Sequence, residues 1–206
     1  MPILTKPEEI SFEYIFHGKL RIIALPKCGS ASLYHTLKDT NATIKHSIGS
    51  KYRDSNISEK VVMVVRNPKD RLASCYRYFC KSEQSLPRLS LGMAALGVKV
   101  DMDFSDFVDV AVNNLYREEH FIPQSYFCRD RDIDKYMLTE NLTEHWNIVA
   151  KAIMPTLPDL LNVNRDNELQ ESDNSIFTDE INAKYEEAYA NDIQLYNNAV
   201  LRVRGY

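Results

Sequence analysis

Along this chain, short unbroken apolar runs alternate with stretches whose apolar residues recur every three or four positions. The run Leu20-Arg21-Ile22-Ile23-Ala24-Leu25, closed by Pro26, predicts a buried strand, and Ser30 to Leu37 behind it predicts a helix. Val61-Val62-Met63-Val64-Val65 is the clearest strand. It is apolar throughout and mostly β-branched with no polar alternation, which suits a strand covered on both faces, as in a parallel sheet. A helix follows, with Pro68 in its first turn, where a missing N–H costs nothing. Leu86 to Asp103, carrying Pro87, Gly92 and Gly97, predicts a loop or lid with a small helical piece. Phe104, Phe107, Val108, Ala111 and Val112 fall at helical spacing, as do Trp146, Val149, Ala150 and Ile153, and Lys135 to Leu138 reads as a strand. The last helix starts near Thr178, an N-cap followed by Asp179 and Glu180. It places Ile181, Tyr185, Tyr189, Ile193 and Tyr196 on one face. Repeated strand–turn–helix units predict a doubly wound α/β fold, a parallel sheet flanked by helices, forming a single domain over residues 1–206. Ligands of such folds bind at the carboxyl edge of the sheet.

Charge refines that picture. The net charge of −4 opposes a nucleic-acid-coating role, yet the middle of the chain from Lys45 to Arg88 is basic and Asp166 to Ile193 is acidic. A basic middle in an acidic protein predicts a local anion site. No apolar run reaches signal-peptide or membrane-span length, so the expected location is cytoplasmic with no membrane anchor. Cys28, Cys75, Cys80 and Cys128 lack CxxC or zinc-finger spacing and read as free, mostly buried thiols. The sequons at Asn41, Asn56 and Asn141 read as chance matches in that setting.

The first chemically informative stretch is Pro26-Lys27-Cys28-Gly29-Ser30-Ala31-Ser32, between strand and helix. Its small residues let the backbone wrap an anion. The N–H groups of Gly29, Ser30, Ala31 and Ser32 would face that anion from the positive helix end, Ser30 and Ser32 would add hydroxyls, and Lys27 a charge. The bland alternative is a turn that merely starts a helix. A Walker-A loop is a poor match, because the lysine precedes the single glycine, and the second strand ends in Arg66 where a magnesium-binding aspartate would stand. The expected site handles its anion with amines and amides and takes no metal.

The second stretch is Arg66-Asn67-Pro68-Lys69-Asp70-Arg71-Leu72-Ala73-Ser74-Cys75-Tyr76. Arg66 at the strand end and Ser74 two turns into the helix can face one point, a guanidinium fork and a hydroxyl suited to a second phosphate. Arg71 is placed to bond backbone carbonyls of the turn. Solvated surface charges at a strand–helix junction are the competing reading.

Together the two stretches resemble the 5'-phosphosulfate and 3'-phosphate motifs of sulfotransferases that use 3'-phosphoadenosine 5'-phosphosulfate (PAPS). Within that superfamily the chain is most similar to the carbohydrate branch. The marks are Val65-Arg66-Asn67-Pro68, the HWxPQ-like His120-Phe121-Ile122-Pro123-Gln124, Glu140-Asn141-Leu142, Leu157-Pro158 with Asn162, and Tyr185 to Tyr196 with Asp192. Cys28 stands where that family usually has threonine, so no hydroxyl contact is implied there.

The resemblance implies a sulfotransferase fold and transfer of a sulfuryl group from PAPS to a hydroxyl, on a carbohydrate in that branch, releasing PAP. Lys27 would stabilise charge on the leaving oxygen; Lys27, Cys28, Gly29, Ser30, Ala31 and Ser32 would line the 5' side; Arg66 and Ser74 would hold the 3'-phosphate. A base is also needed, and histidine suits neutral pH. His46, between the two motifs, is the first choice and His120 the second, while His17, His35 and His145 read as core or surface residues. A nucleotide-dependent phosphoryl kinase and a non-catalytic PAP-binding module remain as alternatives, and a small alcohol or a protein tyrosine as other acceptors.

Overall fold

The computed structural model describes residues 12–46, 59–81, 91–128, 132–163 and 176–205. Its centre is a mixed five-stranded sheet in the order β3-β1-β2-β4-β5, built from β1 (Phe12–Phe16), β2 (Leu20–Ala24), β3 (Thr43–His46), β4 (Lys60–Val65) and β5 (Lys135–Leu138). β2, β4 and β5 are mutually parallel, with Ile23 level with Met63 and Val65 level with Leu138. β1 is antiparallel to both β2 and β3, so it alone runs against the other four. Val62 to Val65 are fully buried, as expected of a strand covered on both faces.

β1 and β3 carry no strand expectation from the sequence. In β1 the alternation is hidden by Glu13, which is buried rather than solvated. Arg21 of β2 donates to Glu13 at 3.2 Å and to Glu59 at 3.1 and 3.3 Å, and Glu59 also accepts the Gly18 N–H of the β1–β2 turn. Two buried carboxylates are thus matched by one guanidinium and by backbone, which is what makes their burial tolerable.

The helices follow the sequence closely in the part that matters for the site. α1 (Ser30–Leu37) leaves β2 through a short loop. α2 (Pro68–Tyr76) leaves β4, with Asn67 accepting the Lys69 N–H as N-cap and Pro68 opening the first turn, and it continues into a π-helical turn, Arg77–Lys81. α3 (Leu91–Ala95) is the small helical piece expected before Asp103, and α4 (Phe104–Asn113) comes next. The stripe of Trp146 and Ile153 lies on α5 (Leu142–His145), a π-helical turn (Trp146–Ala150) and α6 (Lys151–Ile153). α1, Trp146 and the end of the chain pack on the sheet, whereas α2, α4 and the segment after Ile176 enclose a second, aromatic core around Phe79, Phe107 and Phe121.

The single terminal helix expected from Thr178 is instead two, α7 (Asp179–Ala188) and α8 (Ala190–Val203), although Thr178 does cap the first. The break falls at Tyr189, where φ is −112° and ψ 21°. Both sides of the break dock on one segment: the Tyr189 hydroxyl donates to the Phe121 carbonyl at 3.1 Å, and Asp192, three residues on, accepts the backbone N–H groups of Gln124 and Ser125, both at 2.8 Å. Among the described residues no helix is long and apolar enough to cross a membrane.

Asp192 is fully buried and holds one buried and one half-buried backbone donor by charge-assisted bonds. Asp192→Ala should therefore cost about 3 kcal/mol of stability, read as a lower urea midpoint at unchanged slope. A loss within a few tenths would show that the 121–125 segment is held by other contacts.

Candidate active site

Parallel neighbours end at the same edge of a sheet, and here three of them deliver loops side by side. The register of β2 against β4 places Pro26 and Lys27 next to Arg66, and that of β4 against β5 places Thr139 and Glu140 next to Arg66 on the other side. The loops then bond directly. Arg66 Nη1 donates to the Lys27 carbonyl at 3.0 Å, Asn67 N donates to Glu140 Oε1 at 2.8 Å, and the Thr139 hydroxyl donates to the Val65 carbonyl at 3.1 Å.

The loop after β2 is tightly wound. Lys27 has φ +65° and Gly29 φ +75°, left-handed positions on either side of Cys28, whose N–H returns to the Leu25 carbonyl at 3.1 Å. Alternation of this kind turns backbone N–H groups toward one concavity. Gly29 starts α1 without any side-chain cap, and the first helical bond is Leu33 N to the Gly29 carbonyl. The first-turn N–H groups of Ala31 and Ser32 consequently have no intrahelical acceptor, the arrangement that receives anions in other proteins. Cys28 is buried, and its thiol, pushed up to about 12 by burial against the opposing pull of Arg71 and Arg66, donates to Gln124 Oε1 at 3.3 Å. Its side chain serves the scaffold while its backbone serves the loop. Ser30 is buried at the helix start. For Ser32 the sequence expectation needs correction. Its hydroxyl is committed to Val163, donating to the carbonyl and accepting from the N–H, both at 3.1 Å, so only the amide faces the loop.

The second motif lies against the first. Arg71 is buried and donates to the carbonyls of Pro26 at 3.1 Å, Ile122 at 2.9 Å and Glu119 at 3.3 Å, so the turn carbonyl expected of it is one of three. Arg66 keeps its remaining guanidinium N–H groups unbonded among the described residues, and Ser74 is half-buried on α2, three residues beyond Arg71. Gln124, absent from the candidate residues read from sequence, turns out to bridge both motifs: Oε1 also accepts the Arg66 N–H at 3.0 Å, and Nε2 donates to the Arg66 carbonyl at 2.9 Å.

His120 is brought to the same place by the π-helical turn, which aims two successive aromatic rings at one imidazole. Tyr78 stacks on it at 6.1 Å and Phe79 meets it edge-on at 4.8 Å. The Lys27 ammonium rests 3.9 Å from the centre of the Tyr78 ring, a cation–π contact that joins loop and histidine through one tyrosine. His120 Nδ1 lies 2.9 Å from Glu118 Oε1. Burial lowers the His120 pKa, with Lys27 and Arg71 adding to the effect and Glu118 opposing it. Burial alone would raise Glu118, but the hydrogen bond and charge of His120 outweigh it and hold the carboxyl low. An ionised carboxylate only accepts, so Nδ1 carries the hydrogen and Nε2 presents a lone pair. Glu118 and Tyr78 were not singled out for these roles by sequence, and no local spacing would have revealed them. The backbone of His46 ends β3 level with Phe12, which is itself level with Ala24, so it reaches the same sheet edge two strand spacings from β2. Its side chain lies outside the described part of the structure. His17 bonds Thr43 on the exposed side, and buried His145 is engaged in accepting the Leu138 N–H at the end of β5.

An uncapped helix start, a lysine and a guanidinium fork thus lie together at adjacent parallel strand ends, an arrangement whose chemistry suits anionic groups. Residues 25–200 match the Sulfotransferase family, and the protein belongs to that family. Its reaction class is therefore sulfuryl transfer. No curated protein and no solved structure matches the chain.

Gly29 is the residue this geometry tolerates least. A Cβ there would sit 2.6 Å from Leu142 Cδ2, at a φ that already favours glycine. Gly29→Ala should lose roughly 1–3 kcal/mol in a denaturant titration. Unchanged stability would mean that the loop relaxes without cost.

Proposed function

We propose that the protein transfers a sulfuryl group from PAPS to a hydroxyl of a carbohydrate acceptor, releasing PAP. The observation that carries this reading is the bond between Arg66 and the Lys27 carbonyl, which joins the two phosphate-like motifs at one sheet edge. PAPS would supply the activated sulfuryl group. The loop amides from Gly29 to Ser32 suit its 5' side, and the open N–H groups of Arg66 with the Ser74 hydroxyl suit its 3'-phosphate. Lys27 is positioned by Tyr78 to offer its ammonium to negative charge that builds as a bond to oxygen breaks, where such a contact lowers the barrier most. The carbohydrate acceptor follows from the HWxPQ-like segment and its companions.

His120 becomes the favoured base over His46. The specific observation is the bond to Glu118, which fixes the ring and leaves Nε2 as the proton acceptor, while the carboxylate stabilises the imidazolium that forms.

Calorimetry tests the donor. PAP should bind without magnesium and far better than AMP. Equal affinity for the two would remove the 3'-phosphate assignment, and magnesium-dependent ATP binding would support a phosphoryl kinase instead. PAP binding with no sulfate transfer to any member of a panel of glycans and small alcohols would indicate a binding module.

The base is tested by the pH profile. The reaction needs neutral imidazole, and a lowered pKa keeps His120 of the free protein neutral to lower pH, so the acid limb of kcat/KM for PAPS should lie below the ordinary value of 6.5. Glu118→Gln removes the one influence that raises that pKa; the limb should move further acid while kcat falls. His120→Ala should cost about a hundredfold or more in kcat with PAP affinity retained. A normal kcat in His120→Ala, beside an inactive His46→Ala, returns the role to His46.

A further inference from the structure

We infer that Gln124 is a positioning residue of the donor site, a latch whose side-chain amide locks the strand end bearing Arg66 to the loop bearing Cys28. The inference rests on the donor reading above and names a residue that touches neither donor nor acceptor. Gln124 is fully buried, and three of the four hydrogen-bonding positions of its amide are filled across two motifs: Cys28 Sγ at 3.3 Å, Arg66 N at 3.0 Å and Arg66 O at 2.9 Å.

The pairing has a structural reason. β4 ends at Val65, the last residue with a partner on β5, so Arg66 stands one step beyond the ladder with its N–H and carbonyl unclaimed by any strand. Gln124 supplies both missing bonds from one amide, standing in for a neighbouring strand. With its peptide held on both sides, Arg66 leaves the sheet in one direction, and its side chain is aimed at the Lys27 loop rather than swinging with a frayed end.

A latch works only if its own base is fixed, and this one is fixed from two elements. Asp192 of α8 accepts the N–H groups of Gln124 and Ser125, and Arg71 of α2 takes the carbonyls of Ile122 and Glu119 just upstream. Arg66 and the loop are thereby referenced to the same rigid segment, and the distance between the two phosphate subsites is set by Gln124.

The test measures PAP and AMP affinity by calorimetry on the full chain, for wild type, Gln124→Leu and Gln124→Glu, with thermal unfolding in parallel. Gln124→Leu should lose about tenfold in PAP affinity, with AMP affected less, so that the preference for PAP shrinks in a protein that is still folded. A general loss of stability would reduce the folded fraction without changing that ratio. Gln124→Glu keeps the acceptor for Cys28 and for the Arg66 N–H, but as a carboxylate it cannot donate to the Arg66 carbonyl; its PAP preference should be reduced at neutral pH and recover toward the wild-type ratio as the pH falls and the acid regains a donor. Should Gln124→Leu not fold, Gln124→Glu decides by the same ratio. A folded variant with the wild-type ratio at every pH overturns the inference. Wild-type protein with no preference for PAP over AMP defeats the donor reading instead, so the two failures are distinguishable.

Discussion

The site depends on a buried cation that touches no ligand. Arg71 is closed off from solvent on α2, and its guanidinium is shared among carbonyls of Pro26, Glu119 and Ile122. A guanidinium offers five donors in a rigid plane, so it can fix several carbonyls that no secondary structure claims. Here those carbonyls belong to the loop after β2 and to the segment carrying His120 and Gln124, while the arginine itself belongs to the helix after β4. Three pieces remote in sequence become one rigid body. Lysine in its place would supply a point charge without the fork.

That buried charge also shapes the chemistry around it. Lys27 and Arg71 both push the His120 pKa down, on top of the larger effect of burial, and Glu118 pulls the other way. Lys27, which suits an anionic group, thus also adds to the burial that favours the neutral imidazole. Asp192 bonds backbone rather than either arginine, so it steadies the segment without capturing the guanidinium of Arg66. Among the described residues, the acidic end of the sequence contributes the Asp192 carboxylate to the interior and leaves Asp179, Glu180, Glu186 and Glu187 on the exposed surface of α7.

Much of the framework was legible because it is written locally. The Val61–Val65 run, the Pro68 start of α2, the exact span of α1 and the loop between Pro26 and Ser32 each depend on residues adjacent in the chain. The parts that escaped depend on partners far away. Glu13 looks like a solvent position until Arg21 and Glu59 surround it, and so β1 was not foreseen. The smooth helical stripe through Tyr189 conceals a break beside which Tyr189 and Asp192 bond the distant residues Phe121, Gln124 and Ser125. Ser32 looked like an anion ligand, yet its hydroxyl is claimed by Val163, more than a hundred residues on.

The same distinction explains why the order read from sequence, His46 before His120, rested on position in the chain and not on surroundings. A base is defined by what orients it and by what surrounds it, and for His120 these are Glu118, two residues back, and Tyr78 and Phe79, forty residues back on a π-helical turn. The π-helical turn carries both rings, and they meet the imidazole in two ways, Tyr78 stacked and Phe79 edge-on. Tyr78 then ties the lysine to the histidine, so the two groups to which the proposed reaction gives the developing charge and the proton share one aromatic support. On the donor reading this has an electrostatic consequence. An anion bound among Lys27 and Arg66 cancels part of the positive field at His120, so the imidazole gains basicity when the donor is in place and is a weaker base when it is not.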